Sequence, residues 1–232
     1  MSLVAMTVTL CASASGILIP GVAHAATPDG RVRLAVRCPG CGERGHLTQS
    51  GSARPACRVS RRATWALAGS ILATACAGVL VWVFPLTIVP AAVAGVTLSA
   101  IALVDLCAHR VPSVLVALLG ACALLIHTSR GLTEASLQGG VTAALVMGMV
   151  FVLGRLLAGG DAFGAGDVTL SAGLGLLLGF PVVFEGLAAG ILLGGAAAVV
   201  LLVRRGARTA FAYAPYLIAG SLLVVIALRL TA

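Results

Sequence analysis

Long uncharged stretches alternate with short polar or glycine-rich connections along the chain. The apolar runs fall at about 2–20, 65–84, 86–104, 111–128, 137–157, 168–180, 182–203 and 210–230. A helix that crosses the hydrocarbon core of a bilayer needs ~20 residues, with a working range of ~17–25. Most of the runs meet that length. The run at 168–180 is short and rich in glycine, so it is expected to be tilted or shielded by neighbouring helices. Segments such as GILLGGAAA carry small residues, which let backbones approach closely where lipid leaves no hydrophobic force between helices. The pattern predicts an all-α, polytopic membrane helical bundle of about eight transmembrane helices.

Composition supports that class. The chain is 60% hydrophobic and only 9% charged, with a mean hydropathy of +1.12, whereas a soluble domain is about 25% charged. The net charge of +8 would suit a nucleic-acid partner if the cations formed one patch. They lie instead between apolar runs, which is the distribution that orients membrane proteins, and no nucleic acid is expected.

Arginine carries all of that positive charge and sets the topology. Arg31, Arg33, Arg37, Arg44, Arg54, Arg58, Arg61 and Arg62 mark residues 26–64 as a cytoplasmic segment. Alternation then puts Arg110, the loop at 158–167, and Arg204, Arg205 and Arg208 on the same side. Only Arg130 and Arg229 fall on the other side. Three regions follow: a first transmembrane helix at 1–25, an arginine- and cysteine-containing loop at 26–64, and a membrane-embedded domain at 65–232. A cleaved signal peptide is the alternative for 1–25, because ILIPGVAHA ends in an A-x-A-like pattern. The absence of a basic residue before the run, and the cytoplasmic placement of the arginine-rich loop, favour a retained helix.

The cysteines fall into two groups. Cys11, Cys76, Cys107 and Cys122 lie in or beside apolar runs, where cysteine acts as a small hydrophobe. Cys38, Cys41 and Cys57 lie in the polar loop, the first two as CPGC. A structural zinc wants four ligands. These three cysteines with His46 as the nearest fourth give one reading, and a relic of a lost zinc ribbon gives the other.

The acids are few, and two of them stand at the ends of apolar runs. Asp105 closes one in SAIALVDLCAHRVPSVLV, and Asp167 opens another in GAGDVTL. Charge at such positions is costly and usually functional. In the eight-span topology both lie at the cytoplasmic edge, where a bundle can bring them face to face. Two facing carboxylates that share a proton can activate water and polarise a carbonyl, which is aspartic peptide hydrolysis. Gly164 and Gly166 frame Asp167 and let an extended peptide approach the backbone closely. Asp161 is the rival carboxylate in the same loop. His109 and Arg110 are candidates to orient a substrate or stabilise Asp105, with an interfacial anchor as the other reading. Pro215, between Tyr213 and Tyr216, either shapes a substrate groove or simply starts a helix. His127 ends a run on the outer side and is expected at the interface.

These segments resemble, in order along nearly the whole chain, the type IV prepilin leader peptidases. GAGD followed by VTLSAGLGLLLG resembles their G-x-G-D-V-K-L signature. VDLCAHRVPSVLV resembles their other aspartate segment, AYAPYLIAG their F-G-P-F-L-A-x-G, and CPGC with CRVSRRATWALAG their cysteine loop and the start of the second helix.

The resemblance implies that Asp105 and Asp167 are a catalytic pair and that proteolysis needs no cofactor. The implied protein is a bacterial inner-membrane endopeptidase that cuts prepilins or pseudopilins after a glycine at the cytoplasmic face. Pilus or secretion assembly components and membrane lipid are the further partners implied. Several positions depart from the family: Thr169 replaces its lysine, Gly160-Asp161 its Lys-Glu, Arg54 a cysteine, and GVAHA its G-S-F-L-N. N-methylation with S-adenosylmethionine, the family's second activity, is not expected with that eroded N-terminal region. A pilin-assembly component without catalysis is the alternative function, and a small ion-coupled transporter ranks below it, since the acids are at helix ends rather than mid-helix.

Overall fold

A computed structural model describes residues 55–158, 164–205 and 211–231 of the chain. Among them every regular element is helical: α1 (Pro55–Val83), a 3-10 turn (Pro85–Thr87), α2 (Ile88–Ala108), α3 (Ser113–Thr128), α4 (Thr133–Ala158), α5 (Ala165–Leu178), α6 (Val183–Arg205) and α7 (Ala214–Thr231). The seven helices match the last seven apolar runs, and the expected first span lies outside the described residues. Four stretches are long and apolar enough to cross a membrane: Pro85–Ala108, Thr133–Leu156, Val183–Arg204 and Ala214–Thr231. The remaining apolar helices are shorter, including Ser113–Thr128 and Ala165–Leu178.

The helix α1 begins at Pro55, well before the apolar run that starts near 65. Its first turns carry Arg58, Arg61 and Arg62. Apolarity is a demand of the bilayer and not of the helix, so hydropathy marks only the part of α1 that lipid or protein covers.

Short connections make successive helices antiparallel. One end of the bundle therefore gathers the α2–α3, α4–α5 and α6–α7 connections, and the other gathers the α1–α2, α3–α4 and α5–α6 connections. Helices adjacent in sequence pack in the pairs α1–α2, α4–α5 and α6–α7. Two helices tie the pairs together: α3 packs on both α2 and α5, and α7 also touches both. The elements that carry Asp105 and Asp167 are thus bridged twice.

Glycine sets how near these helices come. A methyl group on Gly175 of α5 or on Gly139 of α4 would collide with the carbonyl oxygen of the other. A methyl on Gly220 of α7 would overlap the backbone of Gly190 on α6. This is close backbone packing in a medium where dispersion replaces the hydrophobic force.

Burial divides the helices. Leu98, Ile101, Leu119, Leu174 and Leu217 are fully enclosed, so α2, α3, α5 and α7 contribute the core. By contrast α4 and α6 turn Leu145, Met149, Leu192 and Val203 outward. Large apolar side chains that would be a liability in water are the surface that lipid wants. The short α5 buries Leu170, Ser171, Gly173, Leu174, Gly175 and Leu177, which bears out the expectation that neighbours shield it.

His127 departs from expectation. It is buried, with Nε2 3.0 Å from the carbonyl oxygen of Leu177 and its ring edge-on to Phe84. Its place at the end of an apolar run suggested an exposed interfacial side chain, but protein encloses it, with Gly179 of the α5–α6 connection beside its ring.

Candidate active site

Asp105 lies in the last turn of α2 and is 5% exposed. A carboxylate there opposes the helix macrodipole, which favours cations at a C-terminus. A different helix compensates. The backbone N–H of Ala214, the first residue of α7, donates to Asp105 Oδ2 at 3.0 Å. Backbone donors at a helix start are unpaired within their own helix and attract anions. Asp105 is therefore held from outside its own element.

The chain leaves α2 through a sharp turn. His109 adopts a left-handed conformation at φ 51° and donates its N–H to the Asp105 carbonyl at 2.8 Å. That cap ends the helix directly after the site and turns the chain toward Val111 and Pro112. The side chains of His109 and Arg110 are exposed, and His109 interacts electrostatically with the Asp105 carboxylate.

Asp167 stands in the first turn of α5 and is 9% exposed. Here the macrodipole favours the carboxylate. Gly164 is the N-cap, its carbonyl accepts the Asp167 N–H at 3.0 Å, and its own backbone N–H bonds back to the Asp167 side chain. An acid at the third helical position that returns to the cap is half of a capping box. The Ser171 hydroxyl donates to the Asp167 carbonyl at 2.7 Å one turn on.

The two aspartate segments meet. A methyl on Gly166 would stand 3.0 Å from Val111 Cβ, so the α2–α3 connection rests on the first turn of α5. The Asp105 carboxylate then lies near enough to act on Asp167 directly. Each acid sits at a helix N-terminus, Asp105 facing that of α7 and Asp167 within that of α5.

An aromatic group borders the pair. Phe211 stacks on Tyr216 at 5.1 Å between ring centroids and meets Tyr213 edge-on at 6.2 Å. The Tyr213 ring fits against α6, where a side chain on Gly194 would overlap it. Burial, and secondarily the Asp167 carboxylate, push the Tyr213 phenol up to about 12. Its hydroxyl thus stays protonated at neutral pH. Pro215 follows Ala214 and is half-buried at the start of α7.

Of the residues singled out from sequence, Asp105, Asp167, Gly164, Gly166, His109, Arg110 and Pro215 gather at this one end of the bundle. Asp161, Cys38 and Cys41 lie outside the described residues, and of Cys57 only the helical backbone is described. Among the described residues no group of three His, Cys, Asp or Glu side chains could hold a metal ion. Ala214 escaped the sequence reading because it offers only a backbone N–H. Pro215 was the available signal, since a proline near the first helical position marks a neighbour whose N–H is free.

No curated protein and no solved structure matches the chain. Residues 92–203, which run from α2 into α6 and include both Asp105 and Asp167, match the model of the type IV leader peptidase family. That match takes in both buried carboxylates, and it is to the type IV leader peptidase family that this stretch of the chain is similar.

Proposed function

We propose that this membrane peptidase removes the basic leader from type IV prepilins or pseudopilins, cutting after a glycine by a two-aspartate mechanism. The observation that carries the reading is the approach of Asp105 and Asp167, drawn from helices far apart in sequence and held beside the N-terminus of α7.

Two carboxylates that face each other in one site can share a proton. The ionised partner takes a proton from water as the water attacks the scissile carbonyl. The protonated partner donates to the carbonyl oxygen as it becomes an alkoxide. The intermediate collapses when a carboxyl proton passes to the departing amine, which restores the shared proton. The Ala214 N–H holds one Asp105 oxygen and leaves the other for this exchange. Both helix N-termini lower the cost of keeping a negative charge out of water.

The arginine distribution orients the reaction. Arg110 and Arg204 share the carboxylate end of the bundle, and the opposite end has Arg130 and Arg229. With residues 26–64 counted, the positive-inside rule makes the carboxylate end cytoplasmic in a bacterial inner membrane. The substrate's leader would lie at that face with its apolar helix in the bilayer. Assembly components of a pilus or secretion machine would receive the product.

A non-catalytic role in pilin assembly is the second reading, and Thr169 favours it. Where the family carries a lysine, this exposed side chain donates its hydroxyl to the Gly166 carbonyl at 2.8 Å and supplies no cation.

Co-expression with a prepilin, read as a mobility shift on a gel, separates the two. The wild-type chain cleaves, whereas Asp105→Asn and Asp167→Asn each lose cleavage by at least ~10²–10⁴-fold while still inserting in the membrane. Unaltered cleavage in both variants, or none in the wild type, would favour the non-catalytic reading.

A further inference from the structure

The end of the bundle opposite the carboxylates holds a polar group that proteolysis does not use. The α1–α2, α3–α4 and α5–α6 connections and the last turn of α7 line an open cavity of about 370 Å³. Its wall is mostly apolar, with Phe84, Leu132 and Leu228 among the lining residues. Three nitrogen-bearing side chains interrupt it: His127, Arg130 and Arg229.

His127 is 6% exposed. Its Nε2 lies 3.0 Å from the Leu177 carbonyl, which can only accept, so that nitrogen carries the proton and Nδ1 presents a lone pair. Nδ1 is buried with no hydrogen-bond partner, an unfavourable state for a polar atom removed from water. The Arg130 guanidinium lies 4.7 Å over the Phe84 ring and reaches the Val83 carbonyl at 3.5 Å, which leaves most of its five donors uncommitted. Neither Arg130 nor Arg229 has a carboxylate partner among the described residues. The cavity thus offers two cations and a long apolar wall, and His127 on its lining keeps a buried acceptor that lacks a donor.

We propose that this cavity binds the headgroup of an anionic phospholipid that also bears a hydroxyl, the chemistry of phosphatidylglycerol. The phosphodiester lies between Arg130 and Arg229. A headgroup hydroxyl donates to His127 Nδ1. The acyl chains follow the apolar wall to Leu86, which is 83% exposed at the rim. A free phosphate ion would use the arginines but none of that wall, and a phosphatidylcholine headgroup offers neither a hydroxyl donor nor a net negative charge. The site is independent of whether the carboxylates cleave anything.

The test uses the full chain in mild detergent, with thermal unfolding and native mass spectrometry against phosphatidylglycerol, phosphatidylcholine or inorganic phosphate. Phosphatidylglycerol should bind and raise the unfolding temperature, and the other two should not. Arg229→Gln, at an exposed position, should weaken phosphatidylglycerol binding about fivefold, and Arg130→Gln similarly, the effect of ~1 kcal/mol per arginine near an anionic headgroup. Arg204→Gln, at the far end of the bundle, should leave it unchanged. Equal binding of both lipids, an equal shift from phosphate alone, full affinity in Arg229→Gln, or an equal loss in Arg204→Gln would each overturn the proposal.

Discussion

The two ends of the bundle bury ionisable groups in opposite ways. At the carboxylate end every buried acid has a backbone donor from a helix start: Ala214 for Asp105 and Gly164 for Asp167. At the other end His127 satisfies one ring nitrogen and leaves the second without a partner, beside two arginines that no carboxylate among the described residues neutralises. The first arrangement is complete within the chain. It fixes two acids beside one another, which is how a protein pre-arranges groups for chemistry. The second leaves its buried ring nitrogen to the lipid headgroup proposed above. Depth alone does not decide what a buried polar group is for; what matters is whether the fold itself supplies the partner.

That contrast breaks most visibly if the internal donor is removed. Ala214→Pro deletes the N–H that holds Asp105 while proline remains acceptable at the first position of a helix. Leaving a buried carboxylate oxygen unpaired costs ~1–3 kcal/mol, so prepilin cleavage should fall about 10- to 100-fold with membrane insertion intact. A rate within twofold of wild type would mean the α7 N-terminus does not position the acid. A smaller effect is expected from the other acid of the glycine-rich loop. Asp161→Asn should slow cleavage by no more than about tenfold, or ~1.4 kcal/mol of barrier, because Asp167 is the acid proposed to work with Asp105. A dead Asp161→Asn with an active Asp167→Asn, measured in the same gel assay, would reverse the assignment. The smallest effect tests whether the ends are independent. His127→Ala should change the cleavage rate by less than about twofold, since it lies at the opposite end of the bundle from the carboxylates. A larger loss in a variant that still unfolds cooperatively would show the ends to be coupled.

Much of the fold was legible because a bilayer imposes a simple code. Each of the last seven apolar runs became a helix, and Asp105 and Asp167 stood out because so little else in the runs is charged. The helical start of α1 at Pro55 was hidden, because its arginine-rich turns resemble a loop by hydropathy. The Ala214 donor was hidden for a different reason, as its chemistry is in the backbone and only the long-range packing of α7 on α2 brings it to Asp105. His127 misled because a position at the end of a run says nothing about which connection folds over it.

The brevity of α5 has a consequence for the bilayer itself. Its 14 residues span only ~21 Å at ~1.5 Å per residue, against ~30 Å of hydrocarbon. Its lower end is anchored, because the Leu177 and Leu176 carbonyls are held by His127 and the Ser136 hydroxyl. Set in an undisturbed bilayer with its lower end at one face, a helix of this length would leave Asp167, at its upper end, short of the opposite headgroup plane. The protein answers a mismatch of this kind by thinning the lipid around it or by admitting water above the acid. Either response brings water and a peptide bond to a depth that an undisturbed bilayer would keep dry.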